Sequence, residues 1–215
     1  MRVPAQLGTA AAALLVLVSP AIAQDSGIAR LEVLGRALRS APVWRADYRQ
    51  EYLPAGMDMG EVVNGVVWAA WPDHALFRTT APAQQRMGLE GRTVRLLDLE
   101  VPSCDQHSLS DEEWARVPLA AVLDPRGAVE HFTVLELGDR GITLVPREPG
   151  GVDRVQVVLG DNDLPAEVVI VDPQGATNRL TFKNWQKSDA PPDGRWLPQP
   201  PADLECIADD APTLE

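Results

Sequence analysis

The stretch LPAEVVIVDPQGATNRLTFKNW, Leu164–Trp185, reads as two β-strands joined by a tight turn. Asp172-Pro173-Gln174-Gly175 places Pro where a fixed φ suits a turn and Gly where φ turns positive. Beyond the turn, Leu180 and Phe182 alternate with Arg179, Thr181 and Lys183, giving one dry and one wet face. Before it, AEVVIV is apolar on both faces. A strand with two dry faces needs two coverings.

Working outward, the same pattern recurs. VWRADYRQEYL (43–53) sets Trp44, Ala46 and Tyr48 against Arg45, Asp47 and Arg49, and EVVNGVVWAAW (61–71) is a second strand interrupted by Gly65. ALFRTT (75–80), QQRMGLEG (84–91) and RTVRLLDLEV (92–101) follow, the last two joined by a turn at Glu90-Gly91. EHFTVLEL (130–137), GITLVP (141–146) and DRVQVVLG (153–160) lead back to the opening hairpin. A strand every ~8–12 residues predicts an antiparallel sheet, sandwich or barrel.

Two helical regions complete an α+β reading. SGIARLEVLGRALRSAP (26–42) aligns Ile28, Leu31, Leu34 and Leu38 on one stripe, with Ser26 as cap and Pro42 as stop. SLSDEEWARVPLAAVLD (108–124) has Ser110 and Glu113 at capping-box spacing, and Pro118 breaks or restarts the helix. A Pro-rich segment, SDAPPDGRWLPQPPADLECI (188–207), closes the chain against the sheet or passes over it.

The first residues read as an export signal. Arg2, the apolar run AAALLVLV (11–18) and the small residues Ala21–Ala23 predict a signal peptide, 1–23, cut between Ala23 and Gln24. The run is shorter than the ~20 residues that span a bilayer. No Cys follows it directly, so the chain is not expected to be a lipoprotein itself. Residues 24–215 are expected to form a single exported domain. The formal charge of −12 argues against nucleic acid, whose binding rests on Lys and Arg, and against docking on anionic headgroups. It suits solubility or a basic protein partner.

Catalytic patterns do not emerge. His74, His107 and His131 share no metal-ligand spacing, and Asp111, Glu112 and Glu113 fit the first turn of a helix. Asp172 is explained by its turn. No catalytic residue, metal or cofactor is expected. Cys104 and Cys206 are the two cysteines, and in an oxidising compartment they are expected to pair; two buried free thiols are the alternative. The link would stabilise by roughly 4–5 kcal/mol in the chain-entropy model. Apolar surplus stands out instead: VVWAAW, RLLDLEV and EVVIV are dry on both faces, and six Trp exceed the five Phe and Tyr combined.

In order and wording the segments resemble the periplasmic outer-membrane lipoprotein carrier family, the LolA-like proteins. The marks are WRADYRQ (44–50), GVVWAAWP (65–72), LFR (76–78), GLEGRTVRLLD (88–98), GITLVPRE (141–148), the opening hairpin and PPADLECI (200–207). The resemblance implies an incomplete antiparallel β-barrel, a strongly curved sheet, with an N-terminal helix and a short helical lid over an apolar cavity. It implies a carrier that shields lipoprotein acyl chains in the periplasm and moves them toward the outer membrane. Acylated lipoprotein or other lipid cargo, an inner-membrane donor and an outer-membrane acceptor are the implied partners, and a monomer is expected. A LolA-like lipid or lipoprotein sensor is the alternative; such sensors usually carry a second domain, for which this chain ends early. With the family's aromatic-x-Ala-x-aromatic face turned inward, the expected lipid-binding residues are Trp44, Tyr48, Val67, Trp71, Phe77, Met87, Leu96, Phe132, Val168 and Ile170. Two departures bear on the lid. Trp71 stands where the family commonly has Arg, and the loop from Pro72 to Phe77 is about two residues longer.

Overall fold

The computed structural model describes residues 20–209. The expected signal peptide therefore lies outside the described residues except for residues 20–23, where the first helix already begins. In chain order the elements are α1 (Pro20–Leu38), β1 (Val43–Leu53), β2 (Glu61–Ala70), β3 (His74–Ala81), β4 (Gln85–Glu90), β5 (Thr93–Asp98) and β6 (Ser103–Ser108). Three short helices follow, α2 (Asp111–Arg116), α3 (Pro118–Leu123) and α4 (Pro125–His131). The chain continues with β7 (Phe132–Leu137), β8 (Gly141–Pro146), β9 (Arg154–Leu159), β10 (Pro165–Val171), β11 (Thr177–Ser188) and β12 (Ile207–Asp209).

All twelve strands join one curved, unclosed sheet in the order β12-β6-β5-β4-β3-β2-β1-β11-β10-β9-β8-β7. Neighbours are antiparallel apart from β12, which lies parallel to β6. The opening hairpin is β10–β11, with Val168 opposite Leu180 and Ile170 opposite Asn178. Its turn is held by Asp172, whose carboxylate accepts from the Gln174 and Ala176 amides, while Gly175 takes φ +92°.

The helices cover the concave face in two patches. α1 brings Leu31, Leu34 and Leu38 onto Phe132, Val134, Ile142, Leu144, Val155 and Val157 of β7–β9, where every one of these side chains is buried. α3 brings Leu123 against Ala46, Tyr48, Val67, Ala75 and Phe77 of β1–β3. α2 starts on a complete capping box between Ser110 and Glu113, and Pro118 and Pro125 each open the next helix at its first turn. Single non-helical residues, Val117 and Asp124, separate the three.

Ser26 is not a cap. The helix begins at Pro20, so Ser26 sits inside it, and its hydroxyl donates instead to Glu136 of β7 at 2.6 Å beside the Arg30–Glu136 ion pair. The helix also ends before Pro42, at Leu38.

The convex face of β3–β6 is covered by the Pro-rich tail. Trp196 stacks near His74 with ring centroids 5.2 Å apart, and Arg95 donates to the Pro198 carbonyl at 3.1 Å. Leu76, Leu97 and Cys104 are buried on this side. The tail ends in the disulfide Cys104–Cys206, which sets β12 beside β6. The second dry face read in RLLDLEV is thus covered by the chain's own C-terminal strap. Gly88 lets the strap lie flat: a Cβ there would stand 2.3 Å from the Trp196 carbonyl oxygen and 2.6 Å from Pro198.

An apolar cavity beneath the third helix as candidate functional site

Between α3 and the concave face lies a cavity of about 350 Å³, at the small end of ligand-binding cavities. Its floor comes from alternate residues of adjacent strands, because period-two alternation points every second side chain to one face. β1 gives Tyr48, β2 gives Val67 and Ala69, and β3 gives Ala75 and Phe77. Met87 and Leu96 extend it along β4 and β5, directly opposite one another in register. Val168 and Ile170 of β10 and Leu180 and Phe182 of β11 form the other wall. Pro118, Leu119, Val122 and Leu123 of α3 are the roof, and Leu38 of α1 and Trp185 close one end.

Aromatic contacts fix the walls. Tyr48 meets Phe77 edge-on at 5.3 Å between centroids, and Phe182 lies 5.5 Å from Trp185. Trp185 is oriented by donating its indole N–H to the Pro165 carbonyl at 2.7 Å. The Tyr48 hydroxyl is shared with Thr79 Oγ1 at 2.8 Å. Burial pushes the Tyr48 phenol above its ordinary value, against a smaller opposing pull from the Thr79 hydrogen bond.

Seven of the ten sequence-expected residues line this cavity: Tyr48, Val67, Phe77, Met87, Leu96, Val168 and Ile170. Trp44, Phe132 and Trp71 lie elsewhere. Trp44 points to the same face as Tyr48 but sits under the end of α1, donating its indole N–H to the Ala37 and Leu38 carbonyls. It meets Trp185 edge-on at 6.4 Å, with Trp185 facing the cavity. Phe132 is packed into the core below α1. Trp71 falls one residue past β2, is 38% exposed, and lies under the Arg39 guanidinium at 5.4 Å from its ring centroid. An Arg does face this position, then, but it comes from the chain just after α1.

The resemblance implied a helical lid, but sequence reasoning named none of its residues and overlooked the polar lining. The run VPLAAVL was read as helix without being assigned to the site, and Leu180 and Phe182 were read as a dry face without a ligand behind it. Gln50, Thr79, Gln85 and Asn178 also line the cavity; polar types carry no apolar signal. Among the described residues no cluster of His, Cys, Asp and Glu could hold a metal, and no helix is long and apolar enough to cross a membrane.

The family model described as "Outer membrane lipoprotein carrier protein LolA" matches residues 39–196. No curated protein matches the chain. Among solved structures, a DUF1329 family protein from Desulfovibrio piger is similar at TM-score 0.47 and 7% identity, over 80% of this chain and 95% of that one. A LolA superfamily protein from Nitrosomonas europaea is similar at TM-score 0.43 and 11% identity, over 80% and 96%. The MucA/MucB complex of Pseudomonas aeruginosa contains a chain similar at TM-score 0.44 and 15% identity, over 78% of this chain and 59% of that one.

Proposed function

The chain belongs to the LolA family of outer membrane lipoprotein carrier proteins, and from that premise we propose that it shields lipoprotein acyl chains in the cavity beneath α3 and carries them across the periplasm toward the outer membrane. The observation that carries this reading is a cavity of about 350 Å³ whose lining includes no ionisable side chain except the Tyr48 phenol. Each CH₂ moved from water into such a space gains about 0.8 kcal/mol, so an acyl chain has a strong reason to enter. No bond is made or broken; loading and release are transfers between apolar surroundings. An inner-membrane donor and an outer-membrane acceptor would set the direction.

Periplasmic expression followed by native mass spectrometry tests the binding. Protein carrying acyl lipid or lipopeptide adducts is the expected result. Adducts should fall sharply in Leu96→Glu and Ile170→Glu, two lining positions exposed enough to accept a carboxylate without unfolding the protein. Transport is tested separately, by handing a loaded acylated peptide to inner- and outer-membrane vesicles. Adduct-free protein, or adducts indifferent to both substitutions, would refute the proposal.

A further inference from the structure

The cavity is apolar along its depth and polar at one end, and that polar end carries no charge. Gln50 lies opposite Leu180, Asn178 opposite Tyr52 and Thr79 opposite Gly65, while Gln85 opens β4. These registers gather the four polar side chains at the same end of the sheet, away from the end that Leu38 and Trp185 close. Thr79 is satisfied by Tyr48, and Gln85 donates to the Asp98 carboxylate at 2.8 Å. Asn178 Oδ1 is different: it is buried from solvent and has no hydrogen-bond partner. A buried acceptor left unpaired is costly, and a donor brought by a ligand would satisfy it. Beside Gln85, hydrogen bonds from its side chain and from the Val101 and Glu100 amides hold the Asp98 carboxyl below the usual carboxylate range. This end therefore presents one unpaired acceptor, with the Asp98 carboxylate behind Gln85 and outside the lining.

We propose that the polar end is a head-group subsite, selecting acyl chains whose head is uncharged and carries an O–H or N–H, as in a glycerol ester or an amide-linked acyl group. It rests on the acyl-binding reading above and narrows the cargo within it. The head's donor meets Asn178 Oδ1. A free carboxylate or phosphate would set its oxygens against that acceptor, and would lose hydration with no cation in the lining to replace it.

Competition against the apolar fluorophore N-phenylnaphthylamine tests this at neutral pH. The competitors are a monoacylglycerol, an acyl ethanolamide, a free fatty acid and a lysophosphatidic acid of equal chain length. The two neutral heads should displace the probe at about tenfold lower concentration, the worth of one hydrogen bond to an otherwise orphaned acceptor. Asn178→Leu should abolish the difference, read within the variant as the ratio of neutral-head to anionic-head displacement. Asn178→Asp keeps an acceptor and adds a charge, so neutral heads should stay preferred by at least as much. Equal displacement by all four, or a preference that survives Asn178→Leu, would overturn the subsite and leave acyl binding standing. Failure of all four to displace the probe would overturn both.

Discussion

Gly88→Ala should destabilise the protein by about 1–3 kcal/mol, the usual cost of forcing extra volume into a well-packed contact. Ordinarily the sign is opposite. Replacing Gly by Ala at a backbone conformation that Ala tolerates stabilises by about 0.4–1 kcal/mol, because the unfolded chain loses freedom. Gly88 is not among the positive-φ glycines, so its backbone would accept Ala. The obstruction is the strap. A new Cβ would meet the Trp196 carbonyl oxygen at 2.3 Å and Leu197 Cα at 3.0 Å, backbone atoms with no rotamer to escape through. The strap must lift, uncovering Leu76 and Leu97, which are 4% and 0% exposed. Full exposure of two such leucines would cost about 3–6 kcal/mol, an upper limit, because the disulfide still tethers the end of the strap. For a chain of this size each kcal/mol moves Tm by about 2–4 °C, so a fall of roughly 2–12 °C is expected by circular dichroism under non-reducing conditions. Gly160→Ala is the control: its Cβ would find nothing closer than 3.4 Å, and Tm should hold or rise. If Gly88→Ala melts at or above the parent, the strap does not press on β4.

Removing the disulfide with Cys104→Ser should cost up to about 4–5 kcal/mol for a sequence separation of 102, read as the loss of Tm relative to the oxidised parent. Two alkylatable thiols in the unreduced, unfolded parent would remove the basis for that figure. Trp71→Arg should set a second cation against Arg39 and forfeit a cation–π contact worth about 0.5–1 kcal/mol; a double-mutant cycle with Arg39→Ala that shows no coupling would refute it. Tyr48 gives a pH signature. Its phenol is raised in the folded state, so its contribution is full below the unfolded value near 10 and is lost as pH rises through the higher folded value. The alkaline fall in denaturant stability should therefore be shallower in Tyr48→Phe, and identical slopes would count against burial as the cause.

Strand periodicity located most of the sheet and told inside from outside, but it said little about depth. VWRADYRQEYL and GITLVP coincide with β1 and β8 because alternation and turn residues bound them on both sides. β6, SCDQHS, offers no alternating apolar signal, since its pairing is fixed by β5 and its outer face by the tail. Of α4, Glu130 and His131 fell within the strand reading of EHFTVLEL and Pro125–Val129 were assigned to no element; PRGAVEH is too short for helical periodicity to show. The same limit explains the site. Trp44 and Tyr48 share a face of β1, and only tertiary structure decides that α1 covers one while a cavity opens over the other. Trp71 was misplaced because strand parity ends where the strand does, at Ala70.

The covalent link between Cys104 and Cys206 makes a ring of the chain between them, and that ring holds α2–α4 together with β7–β11. The strands β1–β5 stand outside it, joined to it through the β1–β11 and β5–β6 ladders. A single backbone cut anywhere within the ring, for instance in the exposed turn Glu148–Gly151, opens the circle without releasing a fragment. A nicked molecule keeps its full mass until a reductant reaches the sulfurs, so cavity floor and roof remain tethered even where a protease has passed.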